Sequence, residues 1–162
     1  KKNIFIKKSL FCSVVPNQFL FIKSFLQKKL KIKCIELKKL NLNKIMKIKV
    51  NRKQIGSDRL ANSIAVISKN KNFIILDLGT ATTFDVVINN VYQGGVIAPG
   101  VNLSLNTLVK KATLIPSVNL KKTNKVIGKN TINAVRSGFF WGYTGLIDNI
   151  IDLIMKETKK KI

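Results

Sequence analysis

The stretch FIILDLGTATTFDVVINNVYQGGVIAPG, residues 73–100, decides the fold class. FIILDL (73–78) is a short run of bulky apolar side chains, the pattern of a strand buried inside a sheet. TTFDVVI (82–88) predicts a second strand and VYQGGVI (91–97) a third. Asn89 and Asn90 tolerate positive φ, so the last two strands are expected to join in a two-residue hairpin turn. Pro99-Gly100 ends the sheet segment, and the spacing that follows predicts a helix over about 102–112. Residues 113–127 read as irregular or extended. A long helix over about 130–157 then closes the chain, its KETKKK end placing cations at a helix C-terminus.

Working outward toward the N-terminus, SLFCSVV (9–15) is an apolar run closed by Pro16 and Asn17, consistent with a buried strand. Phe19, Leu20, Ile22, Phe25, Leu26 and Leu30 recur at near-helical spacing from about 17 to 29. KIKCIEL (31–37) alternates polar and apolar, as a half-buried strand does. Strand, helix, strand in this order suggests a βαβ unit. After a Lys/Asn-rich passage (38–54), Leu60, Ala61, Ile64, Ala65 and Ile67 mark a helical face ending near Lys69, with Ser57 or Asp58 as its N-cap. KNKN (69–72) is the polar break that best serves as a domain boundary.

Composition narrows the chemistry. The 162 residues carry a net charge of +23 and no histidine, which excludes Ser-His and Cys-His couples, His-ligated metals and a histidine base. The basic charge suggests nucleic acid at first. Yet 27 Lys stand against only 3 Arg, beside 22 Ile and 17 Asn, a pattern of coding bias with an incidental solvated basic face. Cys12 and Cys34 form no metal spacing and read as buried, reduced thiols of a cytoplasmic protein. Lys7 and Lys8 interrupt the opening apolar run, so it does not read as a signal peptide, and no uninterrupted apolar stretch approaches the ~20 residues of a membrane span. The chain opens without Met inside what reads as a strand, as a piece of a longer protein would.

In so acid-poor a chain, each carboxylate is informative. Between Glu36 and Asp148 the only acids are Asp58, Asp77 and Asp85. Asp77 ends a strand, and Gly79-Thr80-Ala81-Thr82-Thr83 turns the chain into the next. Backbone N–H groups and Thr hydroxyls there make a donor-rich cradle suited to phosphate oxygens, and the Asp77 carboxylate suits a cation that offsets phosphate charge. The competing reading is a hairpin with a hydrogen-bonded Asp/Thr turn. Asp58 follows Gly56 at the mouth of a helix. It can take a proton from a hydroxyl acceptor during phosphoryl transfer, with Arg59 gripping an anionic group, or the two can form a local Asp–Arg pair at a capped helix. Asp85, inside TTFDVV, reads as a supporting carboxylate rather than a catalytic one.

Four stretches together resemble the type III pantothenate kinases: IGSDRLANSIAV (55–66), LDLGTATTFDVV (76–87), GGVIAPGVNLS (94–104) and VIGKNTINAVRSGFFWGYTGLIDNII (126–151). The family's Gly-Ala-Asp-Arg pattern appears as Gly56-Ser57-Asp58-Arg59, and SVVPNQ (13–18) resembles the segment entering a helix of the family's first domain.

The resemblance implies an α/β fold of the acetate/sugar kinase, heat-shock protein and actin superfamily, with ribonuclease-H-like domains whose mixed sheets are flanked by helices. Residues 1–70 would be the remainder of the first such domain and 71–162 the first part of the second. It implies ATP-dependent phosphorylation of pantothenate to 4′-phosphopantothenate, the first step of coenzyme A biosynthesis. Asp58 then matches the general base, and Gly56, Ser57, Asp58, Arg59 and Thr131 match pantothenate contacts. Gly79 and Thr80 match the ATP side, and Asp77 the ligand of a monovalent cation, potassium or ammonium, with magnesium accompanying the nucleotide. A cytoplasmic homodimer is implied, with no nucleic-acid or membrane partner. Gly138, Gly142 and Gly145 on the last helix permit close packing, within the chain or between subunits. The family's opening Asp-x-Gly-Asn-Thr phosphate loop and its C-terminal segment are missing from this span, which is therefore expected to be inactive by itself. Lys49 and Asn51-Arg52 stand where the family has an aromatic contact and Asn-Pro. The alternative is a non-enzymatic relative, a transcription accessory factor with a basic nucleic-acid-binding surface.

Overall fold

The computed structural model describes residues 5–67 and 71–162. In chain order the elements are β1 (Lys8–Phe11), α1 (Pro16–Leu30), β2 (Lys33–Glu36), a 3₁₀ turn at Leu37–Lys39, β3 (Lys47–Ile48), a second 3₁₀ turn at Arg52–Gln54, α2 (Ser57–Ala65), β4 (Asn72–Leu78), β5 (Ala81–Ile88), β6 (Val91–Pro99), α3 (Val101–Lys111) and α4 (Thr131–Thr158). This is a mixed α/β architecture. β1 and β2 form a parallel pair in which Leu10 faces Ile35, and a four-stranded sheet runs in the order β3-β6-β5-β4 with β3 parallel to β6. The chain forms two compact units, Lys1–Phe73 with Asp85–Gly94, and Ile74–Phe84 with Gly95–Ile162.

In the first unit, Pro16 opens α1, where its missing N–H costs nothing and its φ is already helical. Lys31 closes that helix in the left-handed conformation at φ 54°. Phe19 is the buried residue of α1 and meets Phe11 edge-on at 5.2 Å. Leu20, Phe21, Ile22 and Phe25 remain exposed, because a pair of four-residue strands offers little surface to cover them. Leu37, Leu42, Met46, Ile55, Leu60, Val87 and Tyr92 supply the buried core. Arg52 fastens the two 3₁₀ turns together, its Nη2 donating to the carbonyls of Lys38 (2.8 Å) and Leu40.

Four expectations need correction here. The first strand stops at Phe11 rather than running to residue 15, because the Ser13 hydroxyl exchanges 3.2 Å bonds with Val15 N and O and turns the chain early. Cys12 is consequently exposed and Cys34 half-buried, so neither free thiol is a core residue. The N-cap of α2 is Gly56, with no side-chain cap bond, because Ser57 and Asp58 already lie inside the helix. α2 ends at Ala65, capped at Val66, rather than near Lys69, so Ile67 lies past the helix. Of the 69–72 break, residues 69 and 70 lie outside the described residues and Asn72 already opens β4.

In the second unit, Thr82, Phe84, Leu105, Val118 and Ile154 are buried. Asn130 caps α4 by accepting from Asn133 N at 2.9 Å. The irregular segment before it is tied to α4 by side chains: Arg136 Nε donates to Asn119 O at 2.9 Å, and Ser137 Oγ to Lys125 O at 3.2 Å. Tyr143 joins α4 to α3 through a 2.5 Å bond to Ser104 Oγ. A Cβ placed on Gly138, Gly142 or Gly145 would meet nothing within 4 Å among the described residues, so packing within this chain does not require those glycines. Among the described residues no helix is long and apolar enough to cross a membrane.

Candidate active site

The first unit gathers Gly56, Ser57, Asp58 and Arg59 at the start of α2. Gly56 sits at φ −60° and ψ 148°, an ordinary extended conformation, so its lack of a side chain matters for space rather than for torsion. The Asp58 carboxylate folds back over it: a Cβ on Gly56 would stand 2.3 Å from Asp58 Oδ1. That oxygen accepts the Arg59 backbone N–H at 2.8 Å, and the Asp58 side chain is exposed. Ser57 is buried beneath it.

Arg59 points elsewhere. Successive helical residues diverge by about 100° around the axis, so the guanidinium leaves Asp58 and enters the β5–β6 hairpin. There Nε and Nη2 reach Asp85 Oδ1 at 2.8 and 2.7 Å. The alternative of a local Asp58–Arg59 side-chain pair is thus not formed; Arg59 pairs with Asp85, 26 residues away. Tyr92 OH donates to the same oxygen at 2.6 Å. Asp85 is fully buried, as befits the inner strand β5, and Oδ2 has no partner among the described residues. Burial pushes the Tyr92 phenol well above its ordinary range, and the bond and charge of Asp85 push the same way. Burial works against the Arg59 cation, but its bond to Asp85 and the carboxylate charge more than offset this.

Beside this cluster lies a cavity of about 400 Å³ lined by Ser13, Val14, Pro16, Phe19, Glu36, Lys38, Gln54, Gly56 and Ser57. It opens past the C-terminal ends of the parallel strands β1 and β2 and receives the first turns of α1 and α2. Open α/β sheets bind ligands at the carboxyl ends of their strands, and helix starts favour anionic groups.

The second unit brings Asp77, Gly79 and Thr80 together at the end of β4. Gly79 N donates to Ala81 O at 3.0 Å, closing a tight turn, and Gly100 N donates to Thr80 O at 3.0 Å. A cavity of about 360 Å³ is lined by Leu78, Gly79, Thr80, Asn102, Leu103 and Asn106. A hydroxyl, two amides and the start of α3 therefore share one space, a donor set fit for phosphate oxygens. Sequence reasoning missed Asn102 and Asn106; their i, i+4 spacing just after Pro99-Gly100 is the signal that finds them. Asp77 is half-buried at this turn. Among the described residues no three Cys, Asp or Glu cluster as metal ligands. A cation at Asp77 would therefore draw its other ligands from neutral oxygens or phosphates, as hard monovalent ions and nucleotide-bound magnesium accept. Thr131 begins α4 and is exposed; it lines neither this cavity nor the one of about 240 Å³ formed by Thr123, Lys125, Ile127, Gly128, Lys129 and Asn133.

Comparison with known proteins agrees with the sequence resemblance. Residues 1–153 match the type III pantothenate kinase family. A type III pantothenate kinase of Pelagibacter ubique (strain HTCC1062) is 71% identical over 158 residues, covering 98% of this chain and 64% of that protein. The one of Ruegeria sp. (strain TM1040) is 50% identical over 106 residues, 64% of this chain and 41% of the relative. The chain thus spans less than two thirds of the length of these relatives. Among solved structures, a conserved putative Baf family transcriptional activator from Campylobacter jejuni superposes with a TM-score of 0.63 at 20% identity, over 91% of this chain and 65% of that one. At that identity the likeness is one of fold. The family match covers nearly the whole chain, and with it the Gly56–Arg59 and Asp77–Thr80 segments: this chain belongs to the type III pantothenate kinase family.

Proposed function

We propose that the protein transfers the γ-phosphate of ATP to pantothenate, yielding 4′-phosphopantothenate for coenzyme A synthesis. The observation that carries this reading is the exposed Asp58 carboxylate held over Gly56, beside a cavity at the strand ends. Asp58 accepts the proton of the pantothenate hydroxyl as its oxygen attacks the γ-phosphorus. The bond to the bridging oxygen then breaks and ADP leaves. Gly56, Ser57 and Arg59 hold the acceptor, with Thr131 as a further contact. Gly79 and Thr80 lie against the nucleotide phosphates, with Asn102 and Asn106 as added donors. Asp77 holds a monovalent cation, potassium or ammonium. When bound, that ion and nucleotide-associated magnesium neutralise phosphate charge. Residues 1–70 belong to the first ribonuclease-H-like domain of an acetate/sugar kinase superfamily fold and 71–162 to the second. The protein works as a cytoplasmic homodimer, a reading supported by the open glycine face of α4.

The test is Asp58→Asn, an isosteric change at an exposed side chain. General-base loss lowers kcat by about 10²–10⁴-fold, with the melting temperature unchanged. Full turnover in that variant, assayed in the protein as its gene encodes it, refutes the base assignment.

A further inference from the structure

We propose that Asp85 and Tyr92 are positioning residues that set the direction in which Arg59 presents its guanidinium to the acceptor. The inference rests on the reading of Arg59 as an acceptor contact. Three donors, Arg59 Nε, Arg59 Nη2 and Tyr92 OH, converge on one oxygen, Asp85 Oδ1, while Oδ2 stays without a partner among the described residues. A pair built only to neutralise a buried charge is better served by a fork that uses both carboxylate oxygens. Convergence on one oxygen instead fixes the guanidinium from a single edge. The anchor is stiff, because Asp85 on β5 and Tyr92 on β6 belong to one hairpin whose turn residues Asn89 and Asn90 sit at φ 49° and 62°. Both anchor residues are buried, at 0% and 1% exposure, whereas the Arg59 side chain keeps 15% of its surface open.

Charge explains why direction matters. Asp85 cancels the Arg59 charge locally, so an anionic acceptor meets a neutral pair and gains mostly from hydrogen-bond geometry rather than long-range attraction. Arg59 follows Asp58 directly in the first turn of α2, so the two side chains leave the helix about 100° apart, and a fixed guanidinium sets the span between an acceptor's anionic end and the base. Tyr92 enters this scheme without touching a ligand.

The deciding variant is Tyr92→Phe, which keeps the ring and removes one donor, with Asp85→Asn as a second. In the protein as its gene encodes it, Tyr92→Phe is expected to raise the KM for pantothenate about 10-fold. It should leave kcat and the KM for ATP within about 2-fold. In an Arg59→Lys background the same change should alter the pantothenate KM by less than about 2-fold, because the group being aimed is already gone. An unchanged pantothenate KM, or an equal effect in both backgrounds, overturns the proposal. A second measurement separates this outcome from failure of the kinase reading. The chain has three arginines, so the Arg59 Nε–H resonance is assigned by its loss in Arg59→Lys. If the wild type does not phosphorylate pantothenate, the kinase reading fails and the resonance decides the clamp. Faster hydrogen exchange at Arg59 Nε in Tyr92→Phe sustains it, and an unaltered resonance overturns it.

Discussion

Replacing Gly100 by alanine tests whether the nucleotide-side turn owes its position to the backbone behind it. Gly100 lies at φ −72° and ψ 153°, a conformation alanine adopts freely, so torsional strain plays no part. Space is the issue. A Cβ at this position would stand 2.3 Å from Gly79 O, 2.5 Å from Thr80 O and 2.8 Å from Thr80 C, all backbone atoms. Ordinary contact begins at 3.4 Å, so relief requires the turn and residue 100 to separate by 3.4 − 2.3 = 1.1 Å. The Gly100 N to Thr80 O bond, 3.0 Å long, stretches in the same movement. Overpacking of this kind costs about 1–3 kcal/mol, against ~0.4–1 kcal/mol gained from a stiffer unfolded chain. At about 2–4 °C per kcal/mol for a chain of this size, the melting temperature falls by up to roughly 10 °C. A ~1 Å displacement of a positioning group lowers kcat/KM for ATP on the order of 10²-fold, while the KM for pantothenate stays put. Melting by circular dichroism and steady-state kinetics with ATP varied at saturating pantothenate read both effects. A variant that melts higher than wild type and uses ATP normally would show that the turn is not held by this approach.

Gly56→Ala makes the instructive contrast, because the atom its Cβ meets at 2.3 Å is the free end of the Asp58 side chain. That carboxylate can swing away at little cost, and the ~0.4–1 kcal/mol gained from a stiffer unfolded chain is offset by the roughly 0.5–1 kcal/mol lost when Ala replaces Gly at the α2 N-cap. Stability should therefore hold while kcat drops about 10²-fold; denaturant melts and kinetics on one preparation measure both. For Tyr92, the folded protein keeps the phenol proton to higher pH than the unfolded chain does. Between the unfolded value near 10 and the higher folded one the native state binds more protons, so stability falls as pH rises. Urea titrations should show the wild type losing about 1 kcal/mol relative to Tyr92→Phe between pH 10 and 11, with a constant difference below pH 9. A difference that does not change with pH contradicts the buried Tyr92–Asp85 bond.

The β5–β6 hairpin was legible from the order of residues. Asn89-Asn90 between two apolar runs leaves one economical solution, and the structure places both residues at positive φ. α4 was equally legible, since its apolar spacing continues across the whole element from Thr131 to Thr158. β3 was not: two residues, Lys47 and Ile48, pair with Val91 and Tyr92, and no periodicity exists at that length. The site was half legible. Asp58 and Asp77 stood out against a lysine background, whereas the partner of Arg59 was hidden because Asp85 is distant in sequence and only the β5–β6 pairing brings Tyr92 to it. The local Asp58–Arg59 pair, one of the two readings that sequence left open, does not form, because helical geometry sends the two side chains apart.

The exposed apolar side of α1 has a consequence for handling this 162-residue chain. Leu20, Phe21, Ile22 and Phe25 lie on a molecule bearing +23 charges, so at low ionic strength every copy repels every other before these side chains can meet. Salt removes that barrier: the screening length falls from about 10 Å at 0.1 M to about 3 Å at 1 M. Colloidal stability should therefore run opposite to the usual expectation for a basic protein, with light scattering rising on salt addition and receding on dialysis. Purification at high salt, the habitual remedy for lysine-rich chains, would promote the self-association it is meant to prevent.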